Sequence, residues 1–258
     1  MKHEVEKQAR FFNLGEQYFW LASQNELAER QLRPYLRRLA RENGRQTLRI
    51  LDLGCGPGNT LRRLAPAGRV YGFDYSLDAL AFARSKGIQH VFSGELTALP
   101  VASGAFDCVI ALDVLEHVED DQAALREAAR VLRPRGVFLF TVPAFMALWR
   151  YHDEAYGHFR RYGRADFRRR VLDAGLEIRV CRFFKRAFFL PLLIMAALER
   201  RGWLVRRDNF FTVPSWLNRL LAAQIVWEDR SRLGWILPFG VSLLCVGHRT
   251  PAGQESRR

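Results

Sequence analysis

Two groups of residues could do chemistry in this chain. The first is Leu51-Asp52-Leu53-Gly54-Cys55-Gly56-Pro57-Gly58-Asn59, which closes an apolar run and is followed further on by Gly72-Phe73-Asp74. Three glycines let the backbone turn sharply and approach a ligand closely. A helix starting at Asn59 would aim its first N–H groups at that ligand. An acid ending the next strand, Asp74, can accept both hydroxyls of a ribose. A dinucleotide fingerprint would need glycine where Asn59 stands, and Asp52 would repel a pyrophosphate. The ligand expected is therefore nucleoside-like and cationic, without phosphate.

The second group follows the fifth expected strand: Trp149, His152-Asp153, Gly157-His158 and Arg160-Arg161-Tyr162. A hydroxyl that attacks an electrophilic carbon must lose its proton, and a histidine titrating near neutral pH is the usual base. Arg160 and Arg161 could hold a phosphate or carboxylate. The plainer alternative is a loop pinned by hydrogen bonds of His158 and Tyr162, with both arginines solvated.

The first group resembles the class I S-adenosylmethionine-dependent methyltransferases, of the methyltransferase type 11 kind, and the order of later motifs agrees. Gly94-Glu95-Leu96, Gly104-Ala105-Phe106-Asp107, Asp113-Val114-Leu115-Glu116-His117-Val118 and Leu132-Arg133-Pro134-Arg135-Gly136 fall in the family's sequence. The resemblance implies S-adenosyl-L-methionine as cofactor, with Asp52, Gly54, Cys55, Gly56 and Gly58 around its methionine end. It places Asp74 and Tyr75 at the ribose, Glu95 and Leu96 at the adenine, and Asp113 in the loop closing on the methionine. The family often has Asp where Glu95 stands. The second group resembles a subgroup with an HD…GH-x-RRY element, found among cell-envelope and glycolipid genes. That likeness makes His158, His152 and Asp153 the catalytic candidates, and Trp149, Arg160, Arg161 and Tyr162 the substrate-binding ones.

These groups need a scaffold. Strands are expected at 47–53, 69–73, 89–92, 108–112, 137–142, 176–184 and 241–248, with a helix at 164–174. The resulting fold is α/β: a three-layer, Rossmann-like, seven-stranded sheet, mostly parallel with the last strand antiparallel. Residues 1–45 form an N-terminal helical segment, 46–184 the cofactor-binding core, 185–240 a helical insertion, 241–250 the last strand and 251–258 a tail. Phe11, Phe12, Leu14, Tyr18, Phe19 and Trp20 are expected to pack the first helix on the sheet, and Phe19-Trp20 could at the same time cover the cofactor mouth. In the insertion, Ser215 is expected to cap a helix whose Trp216, Leu220, Ala223 and Trp227 share one face.

Composition sets the outer bounds. The 258 residues can bury a full core. The polar start, Met-Lys-His-Glu, is unlike a signal peptide, and the longest apolar stretch, 187–198, is too short to span a bilayer. Four cysteines stand singly, without zinc or disulfide spacing, so neither a metal nor a disulfide is expected and the cytoplasm is the expected compartment. Net charge is +13, and residues from 185 onward hold 12 basic and 5 acidic side chains beside four of the six tryptophans. That combination fits a peripheral contact with anionic lipid on the inner face of a membrane, or a cap over the substrate. The acceptor expected is a small or lipid-linked amphipathic molecule such as an isoprenoid or lipid-linked glycan, methylated on oxygen. Arginine charge could instead serve RNA methylation, but no motif for base methylation or RNA binding accompanies it. A non-catalytic relative that binds cofactor or partner is the other alternative.

Overall fold

The computed structural model describes residues 18–42, 44, 47–204, 213–231 and 237–250. Phe11, Phe12, Leu14, Trp235 and the tail at 251–258 lie outside the described residues. The elements run α1 (Phe19–Glu42), β1 (Leu48–Leu53), α2 (Asn59–Leu64), β2 (Gly68–Asp74), α3 (Leu77–Ser85), β3 (Val91–Ser93) and β4 (Phe106–Leu112). They continue with α4 (Asp121–Val131), β5 (Leu132–Pro143), α5 (Tyr151–Ala155), α6 (Arg164–Asp173), β6 (Leu176–Phe184), α7 (Phe189–Arg200), α8 (Ser215–Arg230) and β7 (Ser242–Arg249).

Alternation along the strands builds the layers, because successive side chains leave a strand on opposite faces. Leu51, Leu53, Val109, Ala111, Phe138 and Phe140 enter one buried cluster. Their neighbours Leu48, Ile50, Cys108, Ile110, Val137 and Leu139 enter another. The first cluster is closed by Ala124, Leu125 and Ala128 of α4 and by Phe167 and Val171 of α6. The second is closed by Leu27, Leu32, Leu36 and Leu39 of α1, whose spacing makes one helical stripe. Both faces of the sheet are covered, as parallel strands require.

The seven strands lie in the order β3-β2-β1-β4-β5-β7-β6. The first five are parallel, and β7 is antiparallel to both β5 and β6. The chain leaves β1 toward β2 on one side and later returns to β4 on the other. The crevice at the carboxyl ends of β1 and β4 is thus the topological switch point, where open α/β sheets bind ligands.

The insertion packs at two places. α7 lies on the Met146–Leu148 turn, tied by Arg150 Nε donating to Glu199 Oε1 at 2.8 Å. α8 lies against α1 and β6, and its buried Glu228 accepts from the backbone N–H groups of Arg186 at 2.8 Å and Ala187 at 3.0 Å. Ser215 is not the cap of α8. Pro214 is, since its carbonyl accepts the first helical bond, from Asn218 N at 2.9 Å, and no side chain caps the helix. Trp216, Leu220, Ala223 and Trp227 do share a face, and that face is exposed to solvent. No helix among the described residues is long and apolar enough to cross a membrane.

Candidate active site

The glycine turn is built by its own hydrogen bonds. The N–H groups of Gly54 and Cys55 both donate to the Phe73 carbonyl, at 2.7 and 3.0 Å, so β2 anchors the turn that leaves β1. Gly54, Gly56 and Gly58 all have left-handed backbone, with φ of 69°, 51° and 81°. Side chains at Gly54 and Gly58 would collide with Val114 and Ile88, so those two hold the turn tight. A Cβ at Gly56 would meet nothing within 4 Å, which leaves a ligand room to approach.

Asp74 sits at the end of β2 as the motif requires. Its Oδ2 accepts from Gly56 N at 2.7 Å and its Oδ1 from Ser76 N at 2.9 Å, so it also fastens the turn. Asp52 is buried, and burial first, then the Asp74 charge, push its carboxyl well above the usual range. Two neighbouring buried carboxylates make a place for a cation. A sulfonium or ammonium group fits that donor set and a pyrophosphate does not. Cys55 contributes backbone only, since its side chain packs with Leu61, Leu80 and Ile88. Tyr75 is 87% exposed, Glu95 is exposed and Leu96 is half-buried against the core.

Beyond the fifth strand, the second group of residues meets a loop from the fourth. His158 Nδ1 lies 2.9 Å from Asp153 Oδ1. Asp153 is fully buried and accepts from Arg150 N at 2.9 Å, Arg161 Nε at 2.8 Å and Arg161 Nη2 at 3.1 Å. Burial alone would raise its carboxyl, but the His158 bond and the Arg161 charge outweigh it and hold the group at about 2. Asp153 is thus an anion placed to accept a hydrogen bond from His158 Nδ1. His152 is half-buried, its ring 4.4 Å from Tyr156 and 6.4 Å from His158.

Arg160, Arg161 and Tyr162, expected at the substrate, all have partners within the protein. Arg161 is committed to Asp153 and the Ala144 carbonyl. Tyr162 is buried and donates to Asp121 Oδ2 at 2.8 Å. Arg160 pairs with Asp121 at 3.1 Å and donates to the Glu119 carbonyl at 2.7 Å. The loop that carries His158 is held both by these side chains and by its backbone, with Phe159 N donating to the Glu116 carbonyl at 2.7 Å and Tyr162 N to the Pro143 carbonyl at 2.9 Å. Trp149 is half-buried and donates from Nε1 to Glu154 Oε1 at 3.3 Å.

Sequence reasoning missed five residues here. Glu116 and His117 follow β4, and His117 meets His158 edge-on with ring centroids 4.5 Å apart. Glu116 is buried, its Oε2 has no hydrogen-bond partner among the described residues, and burial plus the Asp113 charge push its carboxyl well up. Burial and His158 push His117 down. The other three make a chain across the sheet's end. Thr141 Oγ1 donates to Asp113 Oδ1 at 2.8 Å, Gln24 Nε2 donates to Thr141 Oγ1 at 2.9 Å, and Lys185 Nζ donates to Gln24 Oε1 at 2.8 Å. Lys185 is fully buried with its Nζ 3.9 Å from the Trp20 ring, and burial pushes it down to about 8. Asp113 and Lys185 both hold left-handed backbone at φ 51° and 57°, a strained state for residues with side chains. The signal for Lys185 was its rarity: it is one of four lysines, set in an aromatic run.

Fold and site together define a nucleoside-cofactor enzyme of the Rossmann-like α/β type. Residues 51–140 match the family described as Methyltransferase domain. A malonyl-[acyl-carrier protein] O-methyltransferase of Enterobacter lignolyticus is 33% identical over 181 residues, covering 67% of this chain and 69% of that protein. A probable S-adenosylmethionine-dependent methyltransferase of Mycolicibacterium smegmatis is 32% identical over 136 residues, covering 50% of this chain and 52% of that protein. Across such relatives the chain spans from 18% to 69% of their own length. The fold is similar to that of a chain in the solved complex of the Haloferax volcanii Trm112 methyltransferase activator, with TM-score 0.53, 22% identity, and coverage of 90% of this chain and 94% of that one. The chain belongs to the class I S-adenosylmethionine-dependent methyltransferases.

Proposed function

We propose that this chain methylates an oxygen of an amphipathic acceptor, an isoprenoid or lipid-linked molecule, bound between the loops after β4 and β5. When bound, S-adenosylmethionine supplies an electrophilic methyl group. Asp52, Asp74 and the backbone of the glycine turn hold and orient it, and Asp113 borders its methionine end. The observation that carries the reading is the Asp153–His158 bond at 2.9 Å, which leaves His158 Nε2 as the atom that takes the acceptor's proton. Asp153 stabilises the imidazolium that results. His152 is the second candidate for that base. Trp149 remains a candidate substrate contact.

Oxygen as the acceptor atom is supported by the Enterobacter relative, which is named for O-methylation. An amphipathic acceptor is supported by the insertion. Trp203, Trp216 and Trp227 are 74%, 64% and 60% exposed, with Leu190, Ile194 and Leu220 also at the surface, among arginines. Such a surface suits the headgroup region of an anionic membrane, where a lipid-linked acceptor would be collected. The test is labelled methyl transfer into separated lipid, glycan, protein and RNA fractions of a host lysate. Label in the lipid or lipid-linked fraction is expected. Label in RNA would overturn the reading, and cofactor binding without label anywhere would make this a non-catalytic relative.

A further inference from the structure

We propose that Glu116, His117 and His158 together bind a divalent transition-metal cation at the acceptor end of the site. One carboxylate oxygen and two imidazole nitrogens from these residues lie within 4.8 Å of one another. They come from separate loops, after β4 and after β5, brought together by the backbone bond from Phe159 N to the Glu116 carbonyl at 2.7 Å. Glu116 and His117 are neighbours in sequence, and only His158 comes to them from a distant part of the chain.

Three further observations point to a ligand. Glu116 is buried at 1% exposure, and its Oε2 meets no hydrogen-bond donor among the described residues. A buried carboxylate oxygen without a donor is costly, and a cation in its place removes the cost. Second, the bond from Asp153 to His158 Nδ1 is the outer-shell arrangement that fixes a ligating histidine, presenting Nε2 to the metal. Third, Asp153 is itself clamped by Arg161 and Arg150 N, so the imidazole is held before any ligand arrives. His117 is steadied in a similar way, by a hydrogen bond with the Tyr156 backbone.

The donor set names the class of ion. Two imidazoles and one carboxylate suit borderline cations such as Zn²⁺, Fe²⁺ or Co²⁺ better than Mg²⁺ or Ca²⁺, which prefer oxygen. Three protein ligands leave coordination positions open, as in catalytic rather than structural sites. An acceptor oxygen at an open position would be oriented and made more acidic. The inference deepens the methyl-transfer reading and rests on it for the acceptor's place. With the cation bound, His158 Nε2 serves as a ligand, and His152, the second candidate base, takes the acceptor's proton.

The test uses full-length, tag-free protein stripped with a chelator and titrated with Co²⁺, read by visible absorption, and with Zn²⁺, read by calorimetry. One equivalent is expected to bind, with visible bands of imidazole coordination. Glu116→Gln and His117→Ala should abolish that binding. Asp153→Asn, which touches no metal, should weaken it about 10–100-fold. His90→Ala and His248→Ala remove imidazoles outside the cluster and should change nothing. Circular dichroism confirms that each variant is folded. Wild-type protein that binds Co²⁺ no more tightly than the folded Glu116→Gln variant would overturn the site. Full turnover in chelator would also overturn it, while leaving methyl transfer through His158 as base intact. Stoichiometric binding with no methyl transfer to any fraction would keep the site and sink the functional reading instead.

Discussion

The two halves of the crevice are built by different means. On the cofactor side, the glycine turn, Asp52 and Asp74 are placed by backbone requirements within one β-turn-α-β unit. The side-chain link that fastens the turn, Gly56 N to Asp74, spans 18 residues. On the acceptor side, Gln24 reaches Thr141 across 117 residues and Lys185 reaches Gln24 across 161. The first half is a local device, and the second exists only when α1, β5 and the start of the insertion have all docked. Substitutions should therefore act on cofactor binding in one half and on turnover or stability in the other.

The largest expected effect tests that division directly. His158→Ala should lower single-turnover methyl transfer by about two to four orders of magnitude, the range for losing a proton acceptor, with cofactor affinity nearly unchanged. His152→Ala is the companion, and a larger loss there would exchange their roles. Should both variants also lose cofactor affinity, the two halves would not be separable.

Lys185 tests how tightly the acceptor half is coupled to folding. Its folded-state pKa is lowered to about 8 from 10.5 by burial, against the partial opposition of Asp113 and Glu116. A lowered lysine pKa means that the unfolded chain binds more protons between those values, so stability rises with pH from about 8 to 10.5. Below pH 8 the cost of the buried charge is fully present, on the order of 3 kcal/mol. Lys185→Met should flatten the stability profile across that window in denaturant titrations. An unchanged slope would mean that another group, not Lys185, releases the proton.

Asp74→Asn probes the cofactor half more gently than alanine would, because the amide oxygen can still accept from Gly56 N. Loss of charge-assisted acceptance from the ribose should weaken S-adenosylmethionine by about 1.5–3 kcal/mol, roughly 10- to 100-fold in Kd. Calorimetry reads it, and wild-type affinity would remove Asp74 from the cofactor's contacts.

What sequence could reveal follows the same line. Strand alternation, the G-x-G-x-G turn and the acid at the strand end are short-range patterns, and β1, β2, β6, β7 and α6 stand within a residue or two of expectation. The partners of Arg161 and Tyr162 were not legible, because whether an arginine faces solvent or Asp153 depends on how two loops cross. Glu116 and His117 were visible within the D-V-L-E-H-V motif, but nothing local says that His158 returns to meet them. The helical insertion shows the limit most plainly. Phe188 and Phe189 look as suited to lipid as the tryptophans do. Phe188 nevertheless stacks on Phe19 and meets Trp20, and Phe189 packs on Phe145 and Phe239.

That sorting defines the smallest expected effect. Phe188→Ser and Phe189→Ser should destabilise the fold, because each ring lies inside an aromatic cluster. Trp203→Ser, Trp216→Ser and Trp227→Ser should leave the melting temperature close to wild type, since each is more than half exposed. If the exposed face meets anionic lipid, these three should instead weaken sedimentation with phosphatidylglycerol-containing vesicles. Each ring would insert only in part, so about 1 kcal/mol, roughly fivefold in partitioning, is expected per substitution. Raising salt should weaken wild-type binding without abolishing it, because arginine attraction is screened and ring insertion is not. Vesicle binding that vanishes in salt, or that survives loss of all three tryptophans, would assign the contact to charge alone. The exposed tryptophans would then cover the acceptor rather than touch the membrane that holds it.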